Sequence, residues 1–517
     1  MVATQCELVK APKRFVSTLG DDDQPVALRP ESKQEEESDA YKRAIQDLNL
    51  LQSNSQVIAL AKYKNPEAIL PLFRRQLQLA GLEVAQLNRL NVIHVSGTKG
   101  KGSTCAFAES ILRRAGLRTG FYNSPHLIKV TERIQLNGKP ISEHLFATYF
   151  RQIFDRLMEA TTKRGEQISM PSYFSFLTIL AFHIFLEQRV DCAIIEVGMG
   201  GEYDPTNVIE RPLACGITTL DFDHTNVLGS TMEQIAWNKA GIIKPGAPVF
   251  TVRHEQREVA RVIEERAHSK GAQLSVCEPL ACTPNLNLGI PSSAQYANAA
   301  LACRLANCVL AKQPSNKQTA SWNPDNQRLP ETFRLALEQC RWPGRCQIVQ
   351  LNQRVSFFLD GAHTRKSMEN CLEWFKASSK LRQNNARQLL MANVIGERDK
   401  LEVLRPLANY EPFEQVIFST NRINLAGDTP KSETFVNLQG SSSEKSLENV
   451  KNNAKVWAEL RGQQCANVLL KANTHEAIKA VEQLQEGERP CHVLATGSLH
   501  FVGAILETLA TMRDRHE

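Results

Sequence analysis

The stretch NVIHVSGTKGKGSTCAFAESILRRAG, residues 91–116, decides the fold of this chain. Residues 92–95 read as a short buried strand and residues 97–102 as a glycine-rich turn. The small and apolar residues that follow recur at the i, i+3, i+4 and i+7 spacing of a helix, which Gly116 ends. In this order, strand, loop and helix let backbone N–H groups converge on phosphate oxygens. The stretch therefore predicts a nucleotide-binding loop.

The loop departs from the usual phosphate-loop pattern, in which serine or threonine directly follows the lysine. Here Ser96 stands where a longer loop begins with glycine, and Gly102 separates Lys101 from Ser103. The alternative is a turn that only packs a helix closely, which three glycines and two lysines disfavour. We expect Lys101 to reach the β- and γ-phosphates. The residues predicted to bind ATP here are Gly97, Thr98, Lys99, Gly100, Lys101, Gly102 and Ser103.

The composition excludes several classes of protein. The chain has 517 residues, of which 42% are hydrophobic, so it can bury a large core. Its net charge of +6 and aromatic content of 7% come without a basic stripe interleaved with aromatics, so we expect no nucleic-acid partner. Thirteen cysteines lack a repeated CxxC pattern, which favours a reducing compartment. Residues 174–186, the longest apolar run, are too few to span a bilayer, so no stable membrane insertion is expected.

The hydrophobic pattern predicts an α/β fold. Helical patterns alternate with short apolar runs, which indicates βαβ units and largely parallel sheets. Residues 1–40 read as a mobile tail, residues 41–341 as one α/β domain and residues 342–517 as a second. Residues 313–327 read as a surface insertion and residues 421–445 as a long exposed loop. The strand candidates are residues 92–95, 193–197, 216–219, 248–252, 357–359, 388–391, 416–418 and 492–494.

Nine motifs stand in an order that resembles the folylpolyglutamate synthase family. The resemblance extends from residue 41 to the C-terminus, outside residues 313–327 and 421–445. The motifs are GTKGKGS at 97–103, SPHL at 124–127, VTERIQLNG at 130–138, EVGMGGEYDPTN at 196–207, DHTNVLG at 223–229, IAWNKAGIIKPG at 235–246, WPGRCQ at 342–347, LDGAHT at 359–364 and ATGSLHFVG at 495–503.

The resemblance implies a fold and a reaction. The fold is that of the Mur ligases, with an N-terminal P-loop ATPase domain, a C-terminal Rossmann-like domain and the active site between them. The reaction phosphorylates the terminal carboxylate of a reduced folate with ATP, and the amine of L-glutamate then displaces phosphate. Dihydrofolate synthase, with the same chemistry on dihydropteroate, is the closest alternative. A P-loop switch or motor ATPase is an alternative of another class, which would need neither a modified lysine nor a second anion-binding domain.

Two candidate magnesium ligands follow predicted strands. Glu196 lies within residues 193–197, and His224 lies in a loop just after residues 216–219, so both are expected at the carboxyl edge of the sheet, where α/β proteins bind ligands. A carboxylate oxygen there suits Mg²⁺. By resemblance, Ser124, Glu196 and His224 are the metal ligands. The structural alternatives are a hydrogen-bonded acid at a strand end and a loop histidine with ordinary partners.

Lys239 lies 15 positions beyond His224, where the resemblance implies a carbamylated lysine able to hold a second Mg²⁺. The alternative is a solvated helix lysine. Asn298 begins a helical run and by resemblance lies near the adenine, although Ala294 replaces the family's usual histidine. Its alternative is a helix N-cap.

The second domain supplies three further candidates. Arg345 has a guanidinium suited to forked phosphate contacts, and its alternative is a surface arginine between domains. Asp360 and His363 follow the strand at 357–359 and by resemblance meet ATP. Lys101, Lys239 and His363 are the residues we expect to act in catalysis. We also expect a monomer in the cytoplasm, with a mitochondrial pool if the first twenty residues act as a presequence.

Overall fold

A computed structural model gives the structure of the chain and describes residues 31–52, 65–163, 169–280, 283, 285–312, 322, 328–383, 385–396, 398–423, 443–462, 467–485 and 489–513. The helices in this part of the chain are α1 (Glu31–Leu50), α2 (Ile69–Leu79), α3 (Lys101–Arg114), α4 (Glu143–Lys163), α5 (Tyr173–Glu187), α6 (Thr225–Leu228), α7 (Met232–Lys239), α8 (Arg257–Ser269), α9 (Gln295–Ala311), α10 (Glu331–Gln339), α11 (Arg365–Arg382), α12 (Lys400–Ala408), α13 (Ser443–Arg461), α14 (Thr474–Leu484) and α15 (Leu499–Arg513). The strands are β1 (Ile93–Ser96), β2 (Thr119–Tyr122), β3 (Ile134–Leu136), β4 (Lys139–Pro140), β5 (Cys192–Glu196), β6 (Ala214–Ile217), β7 (Val249–Val252), β8 (Leu274–Cys277), β9 (Gln347–Gln350), β10 (Val355–Leu359), β11 (Arg387–Ala392), β12 (Phe413–Ser419), β13 (Val468–Lys471) and β14 (Cys491–Thr496).

The first sheet has eight strands in the order β4-β3-β2-β5-β1-β6-β7-β8. The six neighbouring strands β2-β5-β1-β6-β7-β8 run parallel to one another. Strand β3 pairs antiparallel with β2 and with β4. Helices cover both faces of such a sheet, which explains unbroken buried runs such as CAIIE in β5. Because β1 lies between β5 and β6, the loops that follow these three strands meet at one edge.

The second sheet has six strands in the order β13-β12-β11-β14-β10-β9. All neighbours run parallel except β9, which pairs antiparallel with β10. Strands β14 and β10 are buried along their whole length, in agreement with the continuous apolar character of sequences such as VSFFL in β10. The predicted α/β class with largely parallel sheets is confirmed. The last strand of the first sheet ends at Cys277 and the second sheet begins at Gln347, and the division into domains at residue 341 stays a prediction.

The eight predicted strands all exist, with ends that differ by at most three residues from the predicted ones. The predicted helices at 365–375 and 450–461 lie within α11 and α13, which are longer. Six strands were missed, namely β2, β3, β4, β8, β9 and β13. Among them β8 and β13 are partly exposed, so their sequences lack the continuous apolar run of a central strand.

The prediction of a mobile tail up to residue 40 is wrong for residues 31–40, because α1 begins at Glu31. Tyr41, Ala44 and Leu48 form a buried stripe, and the ring of Tyr41 lies 5.6 Å from that of Phe146 on α4. This packing holds the C-terminal half of α1, and the polar first turns continue the same helix. Residues 1–30 lie outside the described residues. So do the predicted insertion at 313–327, apart from Trp322, and positions 424–442 of the predicted loop.

The loop between β2 and β3 joins the units built on the two sheets. Leu127 in this loop belongs to the first unit by sequence but is buried in an apolar cluster with Phe501 and Val502 of α15. A Cβ on Gly503 would collide with the carbonyl oxygen of Leu127, so the loop and the helix are in close contact. No helix among the described residues combines the length and apolar character needed to cross a membrane.

Candidate active site

The phosphate loop connects β1 to α3 and depends on two glycines. Gly97 and Gly100 have φ angles of 144° and 93°, which favour glycine. A Cβ at Gly97 would collide with Thr218, and one at Gly100 would collide with the side chain of Asn298. The sequence therefore uses glycine where the loop backbone passes closest to its neighbours.

Backbone hydrogen bonds divide the loop into two parts. The N–H groups of Thr98 and Lys99 donate to the carbonyl oxygen of Thr219, at 3.0 and 3.1 Å, so they are already used. The N–H group of Thr104 is the first to bond within α3, to the carbonyl oxygen of Gly100 at 2.8 Å. The helical N–H groups before Thr104 have no partner within the helix, as at any helix start. They are the groups of the predicted loop best placed to bind an anion.

Lys101 faces a buried carboxylate on the neighbouring strand. Its Nζ lies 4.0 Å from Oε1 of Glu196, the last residue of β5. The N–H group of Ser124, after β2, donates to the other carboxylate oxygen at 3.2 Å. Burial raises the pKa of Glu196, and the positive charge of Lys101 opposes that effect. The structure thus brings together three residues that the sequence placed in separate motifs.

His224 lies at the same edge but makes less contact. It is the N-cap of α6 with φ of 51°, and its side chain is 49% exposed. Burial and the positive charges of Lys239 and Lys101 lower its pKa, while Asp223 acts in the opposite direction. Among the described residues no hydrogen bond joins His224 to Ser124 or Glu196. Nor does this part of the chain gather three His, Cys, Asp or Glu side chains into a metal site.

Lys239, the last residue of α7, is buried beneath the phosphate loop. The residue is 3% exposed, and Nζ donates to the carbonyl oxygen of Gly97 at 2.9 Å. The Ser96 hydroxyl in turn donates to the carbonyl oxygen of Lys239 at 2.8 Å. Burial, together with the charge of Lys101, lowers the pKa of Lys239 to about 7. The alternative of a solvated helix lysine is therefore wrong.

Asn298 packs on the phosphate loop at Gly100 and is buried. Its side-chain amide donates to Gln295 at 2.9 Å. The N-cap of α9 is Ala294, so the alternative of a capping asparagine is wrong. The contact with adenine stays a prediction.

His363 brings the second unit to the phosphate loop. Its Nε2 lies 3.1 Å from Nζ of Lys99, and its Nδ1 lies 2.9 Å from the carbonyl oxygen of Gly361. A neutral ring with the proton on Nδ1 satisfies both contacts, since Nε2 then accepts from the lysine. Burial and the charge of Lys99 lower the pKa of His363 to about 3, in agreement with a neutral ring. This contact joins the two units directly.

Asp360 and Arg345 lie beside each other in the same unit. Asp360 accepts a hydrogen bond from the N–H group of Cys346 at 3.0 Å. Burial raises its pKa and the charge of Arg345 lowers it. A Cβ on Gly361 would collide with the guanidinium of Arg345, so this arginine is packed into the site. The alternative of a surface arginine is not supported.

One cleft of about 2040 Å³ collects these residues from both units. The predicted residues that line it include the loop from Thr98 to Ser103, Ser124, Glu196, His224, Asn298, Arg345, Asp360 and His363. The charged or titratable lining residues that sequence reasoning missed include Arg133, Asp223, Arg398 and His500. Of these four, Arg133, Asp223 and His500 lie inside the family motifs, and Arg398 lies in none. Whether such a residue lines the cleft depends on tertiary packing, which a local sequence pattern does not reveal.

The chain resembles known proteins over most of its length. It is 41% identical over 408 residues to Folylpolyglutamate synthase, mitochondrial, from Bos taurus, covering 75% of this chain and 69% of the relative. It is 38% identical over 486 residues to a putative folylpolyglutamate synthase from Caenorhabditis elegans, covering 90% and 92%. Among solved structures, E. coli FolC in complex with ADP superposes with a TM-score of 0.62 at 25% identity, covering 85% and 94%.

No protein-family model matches the chain. The identity to whole-length relatives nevertheless exceeds what a shared fold alone requires, and the two-unit architecture is the same. The cleft presents a phosphate loop and a buried carboxylate from one unit and an arginine and a histidine from the other. The chain therefore belongs to the folylpolyglutamate synthase family, ATP-dependent ligases that join glutamate to folate.

Proposed function

We propose that this chain forms an acyl phosphate on the terminal carboxylate of a reduced folate and then an amide with L-glutamate. A carboxylate oxygen attacks the γ-phosphorus of ATP, and the bond to the ADP oxygen breaks. The glutamate amine then attacks the acyl carbon, the bond to phosphate breaks, and the amine loses a proton. ADP and phosphate are released. The observation that carries the proposal is the shared cleft, in which the phosphate loop faces anion-binding groups of the second unit.

ATP binding is assigned to the start of α3 and to Lys101. The unpaired N–H groups at a helix start and the positive end of its dipole favour phosphate oxygens. Lys101, whose side chain is 16% exposed, adds a point charge at the same place. Arg345 approaches from the second unit. Together they stabilise the charge that moves with the γ-phosphoryl group, so no side-chain nucleophile is needed.

The residues beside Lys101 fit a magnesium ion. Among the described residues Glu196 accepts a hydrogen bond only from the N–H group of Ser124, which leaves carboxylate lone pairs for a metal. Carboxylate and hydroxyl oxygens are the ligands that Mg²⁺ prefers. Glu196 and Ser124 would hold the ion, with His224 at the same edge of the sheet. When bound, Mg²⁺ would neutralise charge on the phosphates.

Lys239 is assigned as the site of a carbamate. A carbamate forms when a neutral amine attacks the carbon of carbon dioxide and releases a proton. The pKa of about 7 leaves a large neutral fraction at physiological pH. The product is an anion able to contact a second metal ion. This assignment is supported by the burial of Lys239 next to the phosphate loop.

The acyl phosphate must be protected from water until glutamate arrives. A cleft between two units that close on each other provides that protection. The contact of His363 with Lys99 shows that the units already touch at the phosphate loop. A switch or motor ATPase has no need of this second wall, so the cleft favours the ligase.

The remaining assignments concern substrates and location. Dihydrofolate synthase would act on dihydropteroate in the same cleft, and only a substrate comparison separates the two. The name of the bovine relative supports a mitochondrial pool. A cytoplasmic pool and a monomeric state are carried forward as predictions, for cell fractionation and light scattering to test.

One experiment tests the function. The purified protein is incubated with ATP, Mg²⁺, radiolabelled glutamate and either tetrahydrofolate or dihydropteroate. We expect incorporation with tetrahydrofolate and one ADP per amide formed. Incorporation with dihydropteroate alone would favour the dihydrofolate synthase, and ADP formation without any folate would favour the ATPase.

A further inference from the structure

Arg133 is a buried cation that lines the cleft and has no acidic partner in the part of the chain that the structure describes. It ends the turn before β3 and is 7% exposed. Its Nε donates to Nδ1 of His126 at 2.9 Å, and the guanidinium lies 5.3 Å from the ring centroid of Tyr173. Among the described residues it forms no ion pair. Burying an unpaired charge is costly, so the arrangement points to an anion supplied from the cleft.

His500 reaches the same region from the second unit. It is the second residue of α15 and also lines the cleft. Its Nδ1 is buried and has no hydrogen-bond partner among the described residues. Burial, with the positive charges of Arg133 and Arg398, lowers the pKa of His500 to about 4. The two units therefore bring the side chains of Arg133, Arg398 and His500 to the lining of the same cleft.

The acidic residues nearby are already engaged. Burial raises the pKa of Glu196, and the charge of Arg133 is one of several that oppose the rise. Glu196, however, faces Lys101 at 4.0 Å and accepts a hydrogen bond from Ser124. Asp223 lies 3.9 Å from Lys99 and also attracts Arg398. Neither carboxylate forms an ion pair with Arg133.

The order of the strands gives the position of this region relative to ATP. Arg133 directly precedes β3, and the sheet runs β3-β2-β5-β1, with the phosphate loop after β1 and Glu196 at the end of β5. Arg133 is therefore attached on the far side of Glu196 from the phosphate loop. An anion there lies across the proposed metal ligands from the γ-phosphate, where the acceptor substrate belongs.

We propose that Arg133 and His500 bind a carboxylate of a glutamyl group, either the incoming glutamate or the last glutamate of the folate. The inference rests on the proposed function and specifies how the substrate is oriented. The Nη atoms of Arg133, which form no hydrogen bond with the described residues, suit a forked contact with two carboxylate oxygens. The Nδ1–H tautomer of His500 can donate to one of these oxygens. Both residues act on binding rather than on the bonds that change.

The test compares Arg133→Gln, Arg133→Lys and His500→Phe with the unmodified enzyme. We expect Arg133→Gln to raise KM about 10- to 100-fold for either glutamate or tetrahydrofolate, since a charge-assisted contact is lost, with kcat and the KM for ATP little changed. Arg133→Lys should recover part of the affinity. Whichever KM moves identifies the source of the carboxylate.

Substrate analogues provide a readout that a structural role would not change. 4-Aminobutyrate lacks the α-carboxylate of glutamate and 2-aminobutyrate lacks the γ-carboxylate, and each is tested as an inhibitor against glutamate. Pteroyl-4-aminobutyrate lacks the α-carboxylate on the folate side. The unmodified enzyme should bind one of these analogues much less well than the substrate from which it is derived, glutamate or folate. Arg133→Gln should bind that analogue and that substrate with nearly equal affinity.

The control is Arg156→Gln, which removes an arginine that donates to the carbonyl oxygen of Ala80 at 2.9 Å, away from the cleft lining. It should leave both KM values unchanged. Unchanged KM values in Arg133→Gln and His500→Phe, or preserved discrimination against the analogues, would overturn the inference while leaving the ligase assignment intact. An unmodified enzyme that incorporates no glutamate would instead overturn the proposed function.

Discussion

Nζ of Lys239 donates a hydrogen bond to the carbonyl oxygen of Gly97 at 2.9 Å, so a buried amine is held directly against the phosphate loop. Its surroundings contain Lys101 and Lys99, whose positive charges further disfavour the ammonium form. A residue in this position is either a structural donor to the loop or the precursor of an anion. These two roles predict opposite behaviour on substitution.

If Lys239 is carbamylated, Lys239→Ala should lose activity and recover part of it with added short-chain carboxylates. Lys239→Glu should retain more activity than Lys239→Arg, because it supplies an oxygen anion. Glutamate incorporation at saturating ATP measures this order. If arginine is the better replacement, Lys239 is an ammonium donor to Gly97 and the carbamate assignment is wrong.

The pKa of Lys239 also predicts a dependence of stability on pH. The group has a pKa of about 7 when folded and an ordinary value of 10.5. Between these values the unfolded chain binds more protons, so the free energy of unfolding rises with pH. Lys239→Met removes this dependence, and the difference between the two proteins in denaturant titrations should grow in favour of the unmodified protein from pH 7 to 10. A constant difference would show that the amine is not shifted.

Replacing Lys101 with alanine should abolish ligation while the fold survives. The side chain supplies charge to the phosphoryl group and contributes little packing. We expect a loss of roughly 10²-fold or more in kcat, on the scale of removing one electrostatic stabiliser. Radiolabelled glutamate incorporation gives the rate, and thermal unfolding checks the fold. Turnover at the original rate would remove the phosphate-loop assignment.

The magnesium requirement should distinguish Glu196 from His224. Glu196→Gln removes the charge of a buried carboxylate. The Mg²⁺ concentration for half-maximal activity should therefore rise about tenfold or more. His224→Ala should have a smaller effect, because its side chain is half exposed. Ligation rates over a magnesium titration provide the comparison. The ligand assignment fails if neither curve moves.

Gly100→Ala should damage the ATP site more than Gly116→Ala. Both positions have positive φ, 93° and 88°, so both variants carry a similar backbone cost of about 1 kcal/mol. Only at Gly100 does the new methyl group collide with Asn298, since Gly116 has no neighbour within 4 Å. We expect a large rise in the KM for ATP in the first variant alone. A double variant, Gly100→Ala with Asn298→Ala, should recover part of the affinity.

The sequence predicts best where function repeats a local pattern. The phosphate loop and the buried strands on either side of it were found because glycines and continuous apolar runs leave a signal within a few residues. The short antiparallel strands β3 and β4 leave no such signal, because three and two residues cannot establish a period. The start of α1 was missed because its first turns are polar and acidic, whereas the buried apolar stripe of the helix begins further along, at Tyr41.

The site shows the same division. Residues at the carboxyl ends of strands, such as Glu196 and Asp360, follow from topology. The contact of His363 with Lys99 spans 264 positions and depends on how the two units pack, which no spacing in the sequence encodes. Arg133 lies inside one of the motifs, but its proposed binding role rests on its burial with no acidic partner among the described residues, which the sequence does not report.

The burial of Leu127 among side chains of α15 has a consequence for idle turnover of ATP. Ser124, three positions earlier in the same loop, donates to Glu196. If the units built on the two sheets separate, either Leu127 must leave its apolar cluster or Ser124 must move away from Glu196. If Leu127 stays buried, opening the two units to admit folate would separate the two proposed metal ligands, and ATP would be protected from hydrolysis until the units closed.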